Sequence, residues 1–350
     1  MDINLPFLNR VSLKEKAFLA RQLATMIASG LTLDKSLNIL IEQTKNPTLK
    51  KTLESVIKDI EAGSPFSVAI AKYPRVFDKV FVNVVISGEA VGRLADVLDR
   101  LAGQLEKQNS FISKMKGALL YPIFIVIAMI AIAIIMMVKV VPELKNIFAE
   151  AGAQLPWSTK VLIAISDSLA NFWYIYLLAL IGIIIGVYYG LKTDWVKKLV
   201  SKVEIDAPGG IGRDVYMARF ARTLGMLVTS GTPIIEALNI TAEVMNNVVY
   251  EEKIKQAASQ VEKGVPLSVP IEKAKIFPVI VPQMISVGEQ TGKLDETLQK
   301  LADYYEEEAD DKIKSLSSLF EPVIIVIIGL GVAFLVFSIL LPIYQIAQIQ

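Results

Sequence analysis

Three long stretches of this chain carry no charged side chain, and they restrict its possible folds more than any other feature. Residues 117 to 138 read GALLYPIFIVIAMIAIAIIMMV, residues 168 to 191 read SLANFWYIYLLALIGIIIGVYYGL, and from Pro322 to the C-terminus no charge occurs. Each run reaches the ~20 residues that a helix needs to cross about 30 Å of hydrocarbon. The pattern predicts three transmembrane helices, at 118–141, 168–191 and 321–342. Composition agrees, since 53% of the 350 residues are hydrophobic, above the ~45–50% of an ordinary soluble domain.

Basic residues near the runs set an orientation. Lys114 and Lys116 precede the first, Lys192, Lys197, Lys198 and Lys202 follow the second, and Lys312 and Lys314 precede the third. Between the first two runs, Lys139, Lys145 and Lys160 are offset by Glu143, Glu150 and Asp167. The expectation is a multi-pass protein of the cytoplasmic membrane. Residues 1–117 and 192–317 then form two cytoplasmic domains, with a loop at 142–167 and a tail at 343–350 outside.

The same counts exclude several functions. With 36 basic and 35 acidic residues there is no basic footprint for nucleic acid. Cys and His are both absent, which removes thiol nucleophiles, zinc–thiolate sites and imidazole acid–base chemistry. No cofactor, metal or catalytic set is expected. The start, MDINLPFLNRVSLKEK, has no apolar run behind its charges and does not read as a signal peptide.

The chain also repeats itself. Slid along itself by roughly two hundred positions, it pairs Arg21 with Arg222, Gly30 with Gly231, Gly63 with Gly264, Pro65 with Pro266, Phe77 with Phe277 and Leu98 with Leu298. Pro122 pairs with Pro322 and Pro142 with Pro342, so the first and third apolar runs belong to the duplication and the second is a spacer. Within a repeat the spacing is helical: Phe18, Leu19, Leu23 and Ile27 recur every three or four residues before Gly30. Thr32, and Thr232 followed by Pro233, are placed to start second helices. The predicted fold is an all-α membrane protein, with two homologous six-helix bundles and three membrane helices.

One motif occurs at equivalent places in both repeats: SGEAVGRL from Ser87 and VGEQTGKL from Val287. A phosphate cradle would follow a strand and carry a Lys–Ser/Thr pair; the residues before this motif look helical and no such pair follows. The simpler reading gives Gly88, Gly92, Gly288 and Gly292 to tight helix–helix corners. Glu89 and Glu289 would then serve the positive N-terminus of the next helix. A docking role, with Arg93 and Lys293 beside the two glutamates, is the sharper alternative. The acidic block DYYEEEADDK, 303–312, reads as a solvated helix face, with a divalent cation or a basic partner as its alternatives. In the second run, Gly182, Gly186 and Gly190 make two GxxxG steps, a surface for close approach either to the other spans or between protomers. Pro122 and Pro322 are further candidates for packing inside the membrane.

Taken together, these motifs resemble the type II secretion F family, the inner-membrane platform proteins of type II secretion systems and type IV pili. The resemblance rests on KMKGALLYP at Lys114–Pro122, VVPELKNIFAEAGAQLPWSTK in the outer loop, GEQTGKL, and FEPVIIVIIG at the start of the third run. In the first repeat Val91 stands where the family tends to have Thr. The resemblance implies a non-enzymatic protein that couples a cytoplasmic hexameric assembly ATPase to pilins or pseudopilins. It also implies contacts with other inner-membrane components of the machine, and a homo-oligomer. The alternative is a membrane subunit of another ATPase-driven transporter, or a membrane receptor.

Overall fold

The computed structural model describes residues 10–142, 157–190, 193–206 and 210–347. Among these, all regular structure is helical. The first repeat contains α1 (Leu13–Ala28), α2 (Leu33–Gln43), α3 (Pro47–Glu61), α4 (Phe66–Ala71), α5 (Lys79–Ala90) and α6 (Leu94–Ile135), the last passing into a π-helical turn at Met136–Val140. Two helices follow, α7 (Trp157–Gly190) and α8 (Asp194–Asp206). The second repeat contains α9 (Ile211–Thr229), α10 (Ile234–Val244), α11 (Val248–Val261), α12 (Ser268–Lys273), α13 (Ile280–Thr291) and α14 (Leu294–Ala347).

Local chemistry accounts for the boundaries. Ser12 and Glu15 form a capping box at α1, with Ser12 N–H donating to Glu15 Oε2 at 2.7 Å. Asn46 accepts from the Thr48 and Leu49 amides at the start of α3, and its equivalent Asn247 does the same for α11. Thr32 sits at the N-cap of α2, but its side chain makes no capping bond. In the second repeat Pro233 occupies that position, and the Thr232 hydroxyl lies 3.4 Å from that of Ser87 instead. Leu19, Leu23, Leu37, Leu53 and Phe81 fill the core of the first repeat; Phe220, Leu238, Tyr250 and Ile285 fill that of the second. Phe18 is exposed, because the buried stripe centres on Leu19 and Leu23 and leaves Phe18 about 100° away around the helix.

The chain divides into two compact units. One, Met1–Lys114 with Lys198–Asp310, holds both repeats; the other, Met115–Lys197 with Asp311–Gln350, holds the long apolar segments. Two helices have the length and composition to cross a membrane, at Leu94–Lys139 and Leu294–Phe334. In α7 the described apolar stretch is the shorter Tyr174–Ile183. Pro122 is buried within α6, whereas Pro322 in α14 is exposed. A Cβ added at Gly182 or Gly186 would meet nothing within 4 Å. The expected close packing of this GxxxG face on another span of the same chain is therefore not made at these two glycines. The surroundings of Gly190 and most of the expected outer loop, 143–156, lie outside the described residues.

In the other unit the repeats are fused by a polar seam. Helix α5 lies against α9 and α10, where Lys79 pairs with Glu243. The centre of the seam is Arg222 on α9, whose guanidinium donates to Glu306 at 2.9 Å, Asp303 at 2.9 Å and Gln104 of the first repeat at 3.0 Å. Gln104 also donates to Gln299 at 2.7 Å, and Lys107 reaches Asp303 at 3.2 Å. Among the described residues, the equivalent Arg21 bonds to Asp99 and Glu106 of its own repeat. Its side chain is 33% exposed against 5% for Arg222. Two members of the acidic block, the exposed Asp303 and the half-buried Glu306, thus neutralise a buried cation.

Removing one partner from a buried ion pair costs about 3–5 kcal/mol, whereas an exposed pair is worth roughly 0.2–1 kcal/mol. Arg222→Met is therefore expected to lower the thermal unfolding temperature of the detergent-solubilised chain far more than Arg21→Met. Equal shifts would remove the distinction. Burial raises the Asp303 carboxyl, but the bonds and charge of Arg222, with Gln299 and Lys107, outweigh it and hold the group below its ordinary value. A carboxylate depressed in the folded state stabilises the fold above its unfolded value of about 3.9, and that contribution fades as pH falls through the folded value. Stability of the wild type should fall on acidification below about pH 4 more steeply than that of Asp303→Asn, which differential scanning fluorimetry against pH would read.

Candidate functional site

The two Gly-Glu-x-x-Gly corners join α5 to α6 and α13 to α14, and the motif positions have separate physical tasks. Gly88 sits where α5 comes closest to α6: a Cβ there would collide with Val97 Cγ2. At Gly288 a Cβ would strike Thr297 Oγ1 and lie 2.9 Å from Leu294 Cα. Gly92 and Gly292 both have φ +67°, the left-handed region in which a Cβ is strained. They end their helices with the Arg93 amide donating to Gly88 O at 2.8 Å and the Lys293 amide to Gly288 O at 3.0 Å, the six-to-one bond of a Schellman turn.

The glutamates reach back along the chain. Glu89 accepts from the Phe66 amide at 2.8 Å, the Ser67 amide at 3.1 Å and the Ser67 hydroxyl. Glu289 accepts from the Leu267 amide, the Ser268 amide at 3.2 Å and the Ser268 hydroxyl at 2.7 Å. The helix starts served are those of α4 and α12, which precede the glutamates, and not those of the helices that follow, as the sequence led us to expect. The reason lies at the start of those short helices. Pro65 caps α4 and Leu267 caps α12, and neither offers a side-chain acceptor. The orphan amides of the first turn are then satisfied by a carboxylate from a neighbouring helix, which also suits the positive helix end.

Arg93 and Lys293 differ from the glutamates in pointing outward. Arg93 pairs with Asp96 at 2.7 Å and Lys293 with Glu296 at 3.2 Å, both one helical turn on and all four side chains exposed. The predicted site residues thus separate into an inward set, Gly88, Glu89, Gly288 and Glu289, and an exposed set, the turn glycines Gly92 and Gly292 with Arg93 and Lys293. Sequence reasoning missed the seam around Arg222, Gln104 and Asp303. Its signal was available in the pairing of Arg21 with Arg222, an arginine retained at the same place in both repeats. Among the described residues, no group of three His, Cys, Asp or Glu side chains is arranged to hold a metal ion.

Two homologous helical repeats fused into one unit, each running into a helix long and apolar enough to span a membrane, define a duplicated all-helical scaffold. The chain belongs to the family described as type II secretion system (T2SS), protein F, whose profile matches residues 19–142 and again 220–342. It is 35% identical over 348 residues to the type IV pilus assembly protein PilC of Myxococcus xanthus, covering 99% of this chain and 84% of that one. It is 36% identical over 349 residues to PilC of Thermus thermophilus, with 99% and 86% covered. Against the type II secretion system protein F of Vibrio cholerae it is 31% identical over 347 residues, with 97% and 84% covered.

A hydrogen bond to a charged group contributes about 1.5–3 kcal/mol. Glu89→Gln and Glu289→Gln should each destabilise the protein in that range, and Gly92→Ala or Gly292→Ala by roughly 1–2 kcal/mol through left-handed strain. Thermal unfolding of the solubilised variants checks this. Unchanged stability for the glutamine variants would mean that the carboxylates are held for another purpose.

Proposed function

We propose that this protein is a non-enzymatic platform of the inner membrane, coupling a cytoplasmic hexameric assembly ATPase to the assembly of pilins or pseudopilins. The observation that carries the reading is the duplicated family match across 19–142 and 220–342, in a chain whose two repeats form one compact unit. A single unit built from both repeats offers a large surface to a soluble motor, and the apolar segments offer uncharged helix faces to pilin helices. In this reading the chain crosses the membrane three times, at 118–141, 168–191 and 321–342, with its N-terminus in the cytoplasm and its C-terminus outside. The charge asymmetry around the apolar runs supports that orientation.

The geometry shifts the motor-docking assignment within the corner. The carboxylates of Glu89 and Glu289 are occupied by α4 and α12, so the exposed cations Arg93 and Lys293 are the groups left to meet the motor. The double variant Arg93→Glu, Lys293→Glu should remain in the membrane at wild-type level, yet fail to recover the assembly ATPase when solubilised and affinity-purified. Retrieval of a nucleotide-binding transport subunit in place of a pilus or secretion ATPase would overturn the platform reading. So would normal pilus or pseudopilus assembly in a strain lacking this chain.

A further inference from the structure

The contact between the two repeats runs in one direction. The first repeat inserts α5 and the start of α6; the second accepts them on α9, α10 and the start of α14. If the contact were two-fold symmetric, α13 would pack on α1 and α2 as α5 packs on α9 and α10. No such packing occurs among the described residues. Among the described residues, each chain therefore keeps one unused accepting surface, on its first repeat, and one unused inserting surface, on its second.

Both surfaces can be located by position. The accepting side of the seam presents Met226, Thr229, Ser230, Asp295, Glu296 and Gln299 to a cavity of about 400 Å³, closed from the other side by Val84, Arg100, Gln104 and Lys107. The equivalent positions in the first repeat are Thr25, Ala28, Ser29, Ala95, Asp96 and Asp99. All six line an open groove of about 550 Å³. The greater exposure of Arg21 than of Arg222 has the same origin: Gln104 of the first repeat covers Arg222, and nothing equivalent covers Arg21. On the inserting side, the α13 equivalents of Lys79 and Ser87 are Val279 and Val287, which are 72% and 50% exposed.

We infer that the first-repeat groove of one chain receives α13 and the start of α14 from the second repeat of a neighbouring chain, reproducing between chains the contact that joins the repeats within one. At the centre of the exchange the two surfaces are complementary. Ser87 beside Thr232 is a polar pair; the matching pair between chains is Val287 beside the half-buried Leu31, apolar on both sides. Arg100 donates to Thr229 O within the chain, and its equivalent Lys300 is also an exposed cation, set to meet Ala28. Lys107 meets Asp303 within the chain; its equivalent Glu307 would meet Gly103, whose Cβ position lies 3.5 Å from the Arg21 guanidinium. Arg21 is already held by Asp99 and Glu106, so this pair adds no charge complementarity and the apolar Val287–Leu31 contact carries the match. A contact between unlike surfaces builds a ring when its rotation closes and an open array when it does not.

The chain contains no cysteine, so introduced thiols report cleanly. Two differently tagged full-length chains, one Leu31→Cys and the other Val287→Cys, would be co-expressed and treated in membranes with a short bis-maleimide. The intramolecular pair Ser87→Cys with Thr232→Cys serves as the folded-state control. The expected result is a cross-linked species carrying both tags, with neither single variant cross-linking to itself. Absence of the mixed species while the control pair links would overturn the inference. So would efficient self-linking of the Leu31→Cys chain alone, which would indicate a symmetric contact.

Discussion

The fold depends on two carboxylates that each satisfy the start of a helix unable to cap itself. Helices α4 and α12 run only from Phe66 to Ala71 and from Ser268 to Lys273. A helix this short has nearly all of its backbone groups at its ends, and leaving part-buried amides unpaired would cost more than it could return. Glu89 and Glu289 supply the missing acceptors from α5 and α13. That fixes the short helices to the longer ones, and so fixes where each longer helix ends. The left-handed Gly92 and Gly292 and the bare approaches at Gly88 and Gly288 then turn the chain sharply into α6 and α14. Each carboxylate thus ties a short helix to the longer one that turns into an apolar segment, α4 to α5 before α6 and α12 to α13 before α14.

The second constraint is the asymmetry of the duplication. Identical repeats joined through identical surfaces would leave nothing over, whereas this seam uses one face of the first repeat and a different face of the second. Arg222 shows the result most plainly: in the second repeat the arginine is buried under Gln104 and held by Asp303 and Glu306, while Arg21 stays at the rim of an open groove. A motor acting on such a unit would meet both repeats as one body. The leftover faces would permit the body to join others like it.

Much of this was legible from the residues. Long uncharged runs, glycines at helix ends, Asn46 and Asn247 before their helices and the near-identical corners all report local constraints. Each acts within a few residues, so sequence carries it directly. The partner of Glu89 was not legible in the same way, since it lies more than twenty residues back along the chain, and proximity pointed to the following helix. The acidic block was misjudged in part for a related reason. A run of carboxylates looks solvated until the fold brings Arg222 against Asp303 and Glu306. The GxxxG face was clear as a pattern, but a pattern of small residues does not say which surface comes to meet it, and at Gly182 and Gly186 none among the described residues does.

The central claim is that the glutamate repeated at each corner is a structural cap, turned inward, beside an outward-facing basic residue. Amide hydrogen exchange on the full-length protein in detergent tests it most directly. The account predicts slow exchange at the Phe66, Ser67, Leu267 and Ser268 amides, with Glu89→Gln speeding exchange at the first two and Glu289→Gln at the last two. It also predicts that Arg93→Glu and Lys293→Glu leave all four unchanged. Fast exchange at these amides in the wild type, or no response to the glutamine variants, would contradict it.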